Sequence, residues 1–449
     1  MFSRVLVANR GEIAVRVIRA LHEVGIEAVA VYSTADAGAL HTRLADRAVC
    51  IGPPSAAESY LRIPSVIAAG ETTGCDAVHP GYGFLAENPE FVRACEDNDL
   101  VFIGPDADVM TRMGDKVEAK RELADAGVPL VPGTEAVRAD EARSAAAEIG
   151  YPVLLKASAG GGGKGMRAVD SQAELDSSFE RASAEAVAAF GDGSIYLEKL
   201  IAPARHVEIQ VLCDADGGVL TLGERECSIQ RRHQKLLEES PSPALDEATR
   251  EAMDTDVARA CRAIGYLNAG TFEFLLAPDG SYYFIELNAR LQVEHPVSEL
   301  VTGIDIVRRQ LEIAAGGRLD TTGRAARRGH AIELRLNAED PSRGFAPAPG
   351  VIERFRPPLG PGLRLDTHVE EGSVIPPYYD SLIAKLIVWD ETRPLAIERS
   401  LRALGELDIR GIPTTRDVAR EILDSDEFRS GQYSTSFLEE TQLAAVGAG

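Results

Sequence analysis

Residues 271–288 read TFEFLLAPDGSYYFIELN, two apolar and aromatic runs on either side of Asp279-Gly280. Asp-Gly between such runs specifies an antiparallel β-hairpin. With Asp279 and Gly280 as the two turn residues, Glu273 and Glu286 fall directly opposite each other. Like charges opposed on paired strands are unfavourable unless a cation lies between them, and hard divalent ions take carboxylate oxygens. The pair therefore points to Mg²⁺ or Mn²⁺, the plainer alternative being two solvated glutamates. Apolar and polar residues go on alternating from Ile285 to Val293, which places Glu286, Asn288, Arg290, Gln292 and Glu294 on one side and Ile285, Leu287, Ala289, Leu291 and Val293 on the other. Such a face offers metal ligands, then a guanidinium for a small anion, then a carboxylate placed as a base. It ends at His295-Pro296.

Three other stretches carry charge in a pattern. Lys156-Ala157-Ser158-Ala159 runs into Gly160 to Gly163 and Lys164, where glycines let successive backbone N–H groups turn toward one anion between two lysines. It is not a P-loop, because Ser158 and Gly165 stand where that motif needs Gly and then Ser or Thr. Gln230 to Lys235, QRRHQK, is a basic island suited to a polyphosphate or other anion. Ala331 to Asp340 alternates again and gathers Glu333, Arg335 and Asn337 on one face, a pattern that fits a surface strand equally well.

The beginning of the chain reads as strand, helix, strand: Arg4 to Ala8, then Ile13, Val17, Leu21 and Val24 at helical spacing ending at Gly25, then Ala28 to Tyr32. Further apolar pieces at Ala77 to Val78 and Leu100 to Ile103 extend this to an open parallel sheet through about residue 112. The turn Asn9-Arg10-Gly11-Glu12 lacks the glycine fingerprint of dinucleotide folds, which disfavours a nicotinamide cofactor. A second region is expected from about 113 to 329, enclosing a small strand-and-helix module from Ala136 to Gly193. A third follows from 330 to 449, with strands at Ala331 to Leu336 and Ile383 to Val388 and helices at Leu395 to Leu404 and Thr415 to Leu423.

At 449 residues the chain suits two or three domains. Its 47 basic against 70 acidic residues leave a charge of −23, which argues against nucleic acid and anionic membrane as main partners. Any phosphate site must be local. No run has the length of a membrane span and the first ten residues do not read as a signal peptide, so a cytoplasmic protein is expected. The six cysteines are scattered without a CxxC pair, as reduced thiols would be. The tail from Ala444 to Gly449 is expected to be disordered.

With these pieces assembled, the sequence resembles the biotin carboxylase component of biotin-dependent carboxylases, in the ATP-grasp superfamily. The resemblance runs through ANRGEIAVR (Ala8 to Arg16), HPGYGFLAEN (His79 to Asn88), MGDK (Met113 to Lys116), KASAGGGGKGM (Lys156 to Met166), RHVEIQV (Arg205 to Val211), QRRHQK, NARLQVEHP (Asn288 to Pro296), RLNAEDP (Arg335 to Pro341) and PPYYDS (Pro376 to Ser381). It implies an α/β ATP-grasp fold with a Rossmann-like domain at 1–112, an ATP-grasp domain at 113–329 with a mobile lid at about 136–201, and a C-terminal domain at 330–449. It also implies that ATP phosphorylates bicarbonate and that biotin captures the CO₂ released from carboxyphosphate, in the first half-reaction of an acyl-CoA carboxylase of the acetyl-CoA type.

Carried over by position, Lys116, Lys156, Gly162, Gly163, Glu198, Lys199, Ile201, His206 and His233 would hold ATP, and Glu273, Glu286 and Asn288 would hold Mg²⁺ or Mn²⁺. Lys235, Arg290 and the Val293 backbone would bind bicarbonate, with Glu294 as the base. Arg335 would stabilise the biotin enolate, with Tyr82 and Gly83 beside the ring; released phosphate is favoured as the group that deprotonates biotin. Departures include Ala289 in place of a usual Thr, a glycine loop one Gly shorter than in some relatives, and Pro361 where relatives place an aromatic residue in a dimer contact. Arg19, Glu23 and Arg364 nearby keep a homodimer plausible. No Met-Lys-Met stretch occurs, so biotin is expected on a separate biotin carboxyl carrier protein, with a carboxyltransferase alongside. The competing readings are a carbamoyl-phosphate synthetase-like ligase, which has no need of Gln292 to His295 or of the Arg335 strand, and an inactive regulatory subunit, which has no need of the full set of charged residues.

Overall fold

The computed structural model describes residues 1–158, 166–232, 234–441 and 443. Strands β1 (Arg4–Val7), β2 (Glu27–Ser33), β3 (Arg47–Gly52), β4 (Ala77–His79) and β5 (Val101–Phe102) form a parallel sheet in the order β3-β2-β1-β4-β5. The expected open parallel sheet is present, with β3 as a strand the apolar pattern did not single out. Helix α1 (Gly11–Glu23) buries Ile13, Val17, Ile18 and Leu21 against the sheet, at the spacing read from the sequence. Where β1 ends, the Asn9 amide donates to the Pro80 and Tyr82 carbonyls at 2.7 Å each, and this pins the loop bearing Tyr82 and Gly83. Gly81 lies there at φ +64°, and a Cβ would meet the Asn9 amide nitrogen at 2.9 Å, so the close approach requires glycine.

The module expected at 136–193 extends past that limit to Lys199: it is an antiparallel sheet of β6 (Val153–Ala157), β7 (Met166–Val169) and β8 (Ile195–Lys199) in the order β7-β6-β8, covered by helices Ala139–Ile149 and Gln172–Phe190. Ala142, Ala146, Leu155, Leu175, Ala182 and Leu197 give it a hydrophobic core of its own. Gly162 and Gly163 fall outside the described residues, as do His233 and 444–449.

The largest sheet contains β9 (Arg205–Cys213), β10 (Val219–Arg231), β11 (Gln234–Ser240), β12 (Asn268–Leu276) and β13 (Tyr282–Asn288), with the short β14 (Gly323–Arg324) parallel to β10, and then β15 (His330–Asn337). It runs β13-β12-β9-β10-β11-β15 and continues through strands Leu382–Asp390 and Leu363–Thr367. The last three come from the third region, so that region extends the sheet of the second instead of packing beside it. Among the described residues, no helix is long and apolar enough to cross a membrane. The six cysteines are free, five of them buried.

The hairpin differs from its expected form in two compensating ways. The Ala277 N–H donates to the Ser281 carbonyl at 2.8 Å, which makes the loop three residues, Pro278 to Gly280, with Gly280 at φ +86°. That shifts the pairing to Leu276 with Tyr282 and Phe274 with Phe284; a bulge at Ile285 then restores it, so Glu273 does face Glu286. The alternation from Ile285 to Val293 is likewise not one strand. Strand β13 stops at Asn288, and the chain crosses 289–294 without regular structure before helix His295–Thr302.

Glu239 on β11 ties the sheet to the C-terminal helices. Fully buried, it accepts from His330 at 2.6 Å, from Arg393 at 2.7 and 2.9 Å, and from the Tyr433 hydroxyl. Burial opposes its ionisation, but hydrogen bonds from His330 and Arg393 prevail and lower its pKa from 4.5 to about 2. Since the folded value is depressed, this contribution is present above pH 4.5 and is lost as pH falls toward 2. Glu239→Gln should remove on the order of 3 kcal/mol at neutral pH. Thermal melting across pH checks this: the gap between variant and parent should close in acid.

Candidate active site

Cross-strand register lines up a row of charge. Glu286 on β13 faces Glu273 on β12, Glu273 faces Glu208 on β9, and Glu208 faces Arg225 on β10. Three carboxylates side by side need cations, and two enter the row. Arg225, entirely buried, donates from Nε to Glu208 at 2.5 Å and commits its remaining N–H groups to Gln210, Thr271, Gln292 and Ser298. Lys235, from the start of β11, places Nζ 2.6 Å from Glu208, 3.2 Å from Glu273 and 2.5 Å from Glu294. Burial disfavours its charge, yet Cys227 and these carboxylates hold its pKa well above the ordinary value, so the ammonium stays protonated.

Glu294 is the meeting point. It takes Lys235 on one oxygen and Arg335 Nη2, at 2.9 Å, on the other. Burial works against its ionisation, but Lys235, Arg335 and Arg225 keep its pKa well below the ordinary carboxylate value. Arg335 also donates from Nε to Glu238 at 2.6 Å. Glu238, directly opposite the buried Glu333 on β15, is pushed up to about 7 by burial against the pull of Arg335. Arg290 donates from Nε to Glu87 at 2.8 Å and from Nη2 to the Asn288 amide oxygen at 2.9 Å.

The expected metal residues lie together. Glu273 accepts from Asn288 at 3.0 Å, Gln292 at 2.8 Å and Lys235 on Oε1, and faces His206 Nε2 at 3.0 Å from Oε2. Burial raises its pKa, and Lys235 and His206 more than offset this, so it is held well below the ordinary value. Restricted solvation and the charge of Glu273 instead raise Glu286. Among the described residues Glu286 makes no hydrogen bond or ion pair. An all-oxygen set of two opposed carboxylates and an amide oxygen, one carboxylate without a partner, suits a hard cation.

On the neighbouring module Glu198 ties Lys156 at 2.5 Å and also Lys120. Lys199 points elsewhere, donating to the carbonyls of Gly150 and Tyr151 at 2.9 Å each, and Ile201 is half-buried. Lys116 begins helix Lys116–Asp125, where its charge acts on Glu286. The basic island divides: Lys235 enters the charged row, while Arg231 lies over the Phe345 ring at 4.4 Å and donates to the Gly344 carbonyl. Tyr82 donates to Glu12, and the Val293 carbonyl accepts from Lys385 at 2.8 Å. Glu208, Arg225, Glu238, Glu87 and Lys385 were not picked out from the sequence. His206, Glu208 and Gln210 alternate within RHVEIQV, a signal of the same kind as that in residues 285–293.

Three family models match consecutive parts of the chain: the biotin carboxylase N-terminal domain over residues 1–110, the ATP-binding domain of the carbamoyl-phosphate synthase L chain over 115–322, and the biotin carboxylase C-terminal domain over 333–440. The biotin carboxylase of Nostoc sp. is 53% identical over 442 residues, covering 98% of this chain and 99% of that one. A pyruvate carboxylase component from Methanothermobacter thermautotrophicus is 50% identical, covering 98% and 90%. Among solved structures, a Campylobacter jejuni biotin carboxylase complex with β,γ-ATP is similar at a TM-score of 0.93 and 47% identity, covering 98% and 99%. The biotin carboxylase domain dimer of Hydrogenobacter thermophilus 2-oxoglutarate carboxylase, with MgADP, ADP and bicarbonate, follows at 0.91 and 49%, covering 98% of each. By fold, by domain order and by identity along nearly its whole length, the chain belongs to the biotin carboxylase family of ATP-grasp enzymes, ATP-dependent carboxylating ligases.

Proposed function

We propose that this chain carboxylates carrier-bound biotin with bicarbonate and ATP, through the residues gathered around Glu294. The observation that carries the reading is the placement of one buried carboxylate between Lys235 at 2.5 Å and Arg335 at 2.9 Å. Bicarbonate takes its place against Lys235, Arg290 and the Val293 backbone, where cations hold the anion and Glu294 receives its proton. The freed oxygen attacks the γ-phosphorus of ATP and ADP leaves, giving carboxyphosphate. Carboxyphosphate separates into CO₂ and phosphate, phosphate takes the proton from the ureido nitrogen of biotin, and that nitrogen attacks CO₂. Arg335 stabilises the charge on the ureido oxygen while Tyr82 and Gly83 flank the ring.

ATP is assigned to Lys116, Lys156, Gly162, Gly163, Glu198, Lys199, Ile201, His206 and His233, with Lys199 and Ile201 serving through backbone. Glu273, Glu286 and Asn288 would hold Mg²⁺ or Mn²⁺, which when bound offsets charge on the transferring phosphoryl group. The domain limits proposed are 1–112, 113–329 with a lid at about 136–201, and 330–449. The separate core beneath the module supports a lid that moves as a body and closes over ATP to exclude water. Partners in this reading are a second copy of the chain, through the surface bearing Arg19, Glu23 and Arg364, a biotin carboxyl carrier protein and a carboxyltransferase. Acetyl-CoA is the proposed acceptor, although relatives named as pyruvate and 2-oxoglutarate carboxylases use the same scaffold.

The test is ATP turnover with bicarbonate and free biotin. Stimulation by biotin supports the reading; stimulation by ammonia but not biotin would replace it with a carbamoyl-phosphate synthetase-like activity. For the metal residues, Glu286→Gln should raise the Mg²⁺ concentration for half-maximal rate by about 10- to 100-fold. A Mg²⁺ titration at saturating ATP reads it, and an unchanged requirement would remove Glu286 from the metal set.

A further inference from the structure

Lys385 lies in Leu382–Asp390, a strand whose neighbours Ile383, Leu386 and Ile387 are core residues, and it is itself wholly buried. It stands directly opposite Arg335 on one side and Asp366 on the other. A buried lysine opposed to an arginine is an unfavourable arrangement that a leucine in this strand would avoid. The ammonium is held by Glu12 Oε1 at 3.1 Å and by Asp366 at 3.9 Å, and Asp366 is itself clamped by Arg364 at 2.7 and 2.9 Å. Glu333 also lies near, buried and without a hydrogen-bond partner, and burial pushes its pKa well above the ordinary carboxylate value.

What this ammonium does outside the ion cluster is donate 2.8 Å to the Val293 carbonyl. The carbonyl before it, Gln292, accepts from the His295 N–H at 3.3 Å and faces His295 Nδ1 at 2.8 Å. Both peptide planes flanking Val293 are therefore fixed, one by His295 and one by Lys385, in a segment that has no strand or helix pairing to hold it. On its far side Glu12 accepts from the Tyr82 hydroxyl. One chain of polar contacts thus joins Tyr82, Glu12, Lys385 and Val293.

We propose that Lys385 is a positioning residue of the bicarbonate subsite, holding the Val293 peptide in place and, through Glu12, linking it to the Tyr82 side of the site. The proposal rests on the assignment of Val293 and Tyr82 given above. Removing the lysine alone would strand Glu12, so the informative variant is the neutral pair Lys385→Met with Glu12→Gln, set against Glu12→Gln alone. Steady-state kinetics with bicarbonate, ATP and free biotin, with thermal melting alongside, should show the bicarbonate KM of the pair raised about tenfold while the ATP KM stays within about twofold. Glu12→Gln alone, which keeps the bond to Val293, should raise the biotin KM and leave the bicarbonate KM near that of the parent. A folded pair with an unaltered bicarbonate KM would overturn the proposal. If the pair does not fold, Lys385→Arg keeps the charge but not the single-ammonium geometry, and an unaltered bicarbonate KM there overturns it equally. Failure of the underlying reading is seen separately, as absence of biotin-stimulated turnover in the parent enzyme.

Discussion

Glu294→Gln is expected to lower biotin-dependent ATP turnover by about 10²- to 10⁴-fold, the range of a positioned general base. The carboxylate is buried and ionised, and Lys235 and Arg335 depress its basicity as long as both lie on it. In the proposed reading bicarbonate engages Lys235 and biotin engages Arg335, which would draw those cations away and make Glu294 a better base as the site fills. Glutamine keeps the shape but offers a single acceptor oxygen to the two cations, turns an amide N–H toward the other, and takes up no proton. The loss should therefore fall on kcat and kcat/KM together, with ATP affinity little changed. Single-turnover measurement of ADP formation checks this, and a rate within tenfold of the parent would remove Glu294 from the base role.

Arg335→Met should lower biotin carboxylation by about 10²- to 10³-fold, the scale seen when one stabilising donor is removed from a developing oxyanion. Biotin-independent, bicarbonate-dependent ATP hydrolysis should fall far less, because Arg335 faces Glu238 and Glu294 and not the hairpin that bears Glu273 and Glu286. The variant also strands Glu238. A carboxyl raised to about 7 in the folded protein contributes stability that is full below pH 4.5 and lost as pH rises through 7. With its arginine gone that loss deepens, so the variant should melt closest to the parent in mild acid and furthest from it in alkali. Equal losses in carboxylation and biotin-independent hydrolysis would contradict the assigned role.

The sequence showed the opposed pair Glu273 and Glu286, but through a turn one residue too short; the bulge at Ile285 made up the difference. Residues 289–294 kept the alternation of a strand without being one, because Arg290 and Glu294 are aimed by contacts with Glu87, Lys235 and Arg335 rather than by a pleat. Glu238 and Glu239 illustrate what local pattern misses. Adjacent on one strand, they serve opposite faces, Glu238 meeting Arg335 97 positions away and Glu239 meeting Arg393 154 positions away. Which distant cation reaches which face follows from sheet order, and nothing in the residues around them encodes it. Lys385 did leave a local sign, a lone cation within LIAKLIVW.

The shared sheet restricts how this chain can be taken apart. Between residues 329 and 330 the covalent path offers an attractive place to cut, yet β11 and β15 are hydrogen-bonded neighbours there. Either fragment would present a strand of seven or eight residues with unpaired backbone groups and with buried charges stripped of their partners, an open edge able to pair with other chains. Recombination that swapped the two sides independently would have to match Leu237 to Leu334 and Glu238 to Glu333 across the new seam. The heritable unit of exchange is therefore larger than any of the three regions that the chain's length and motifs suggest.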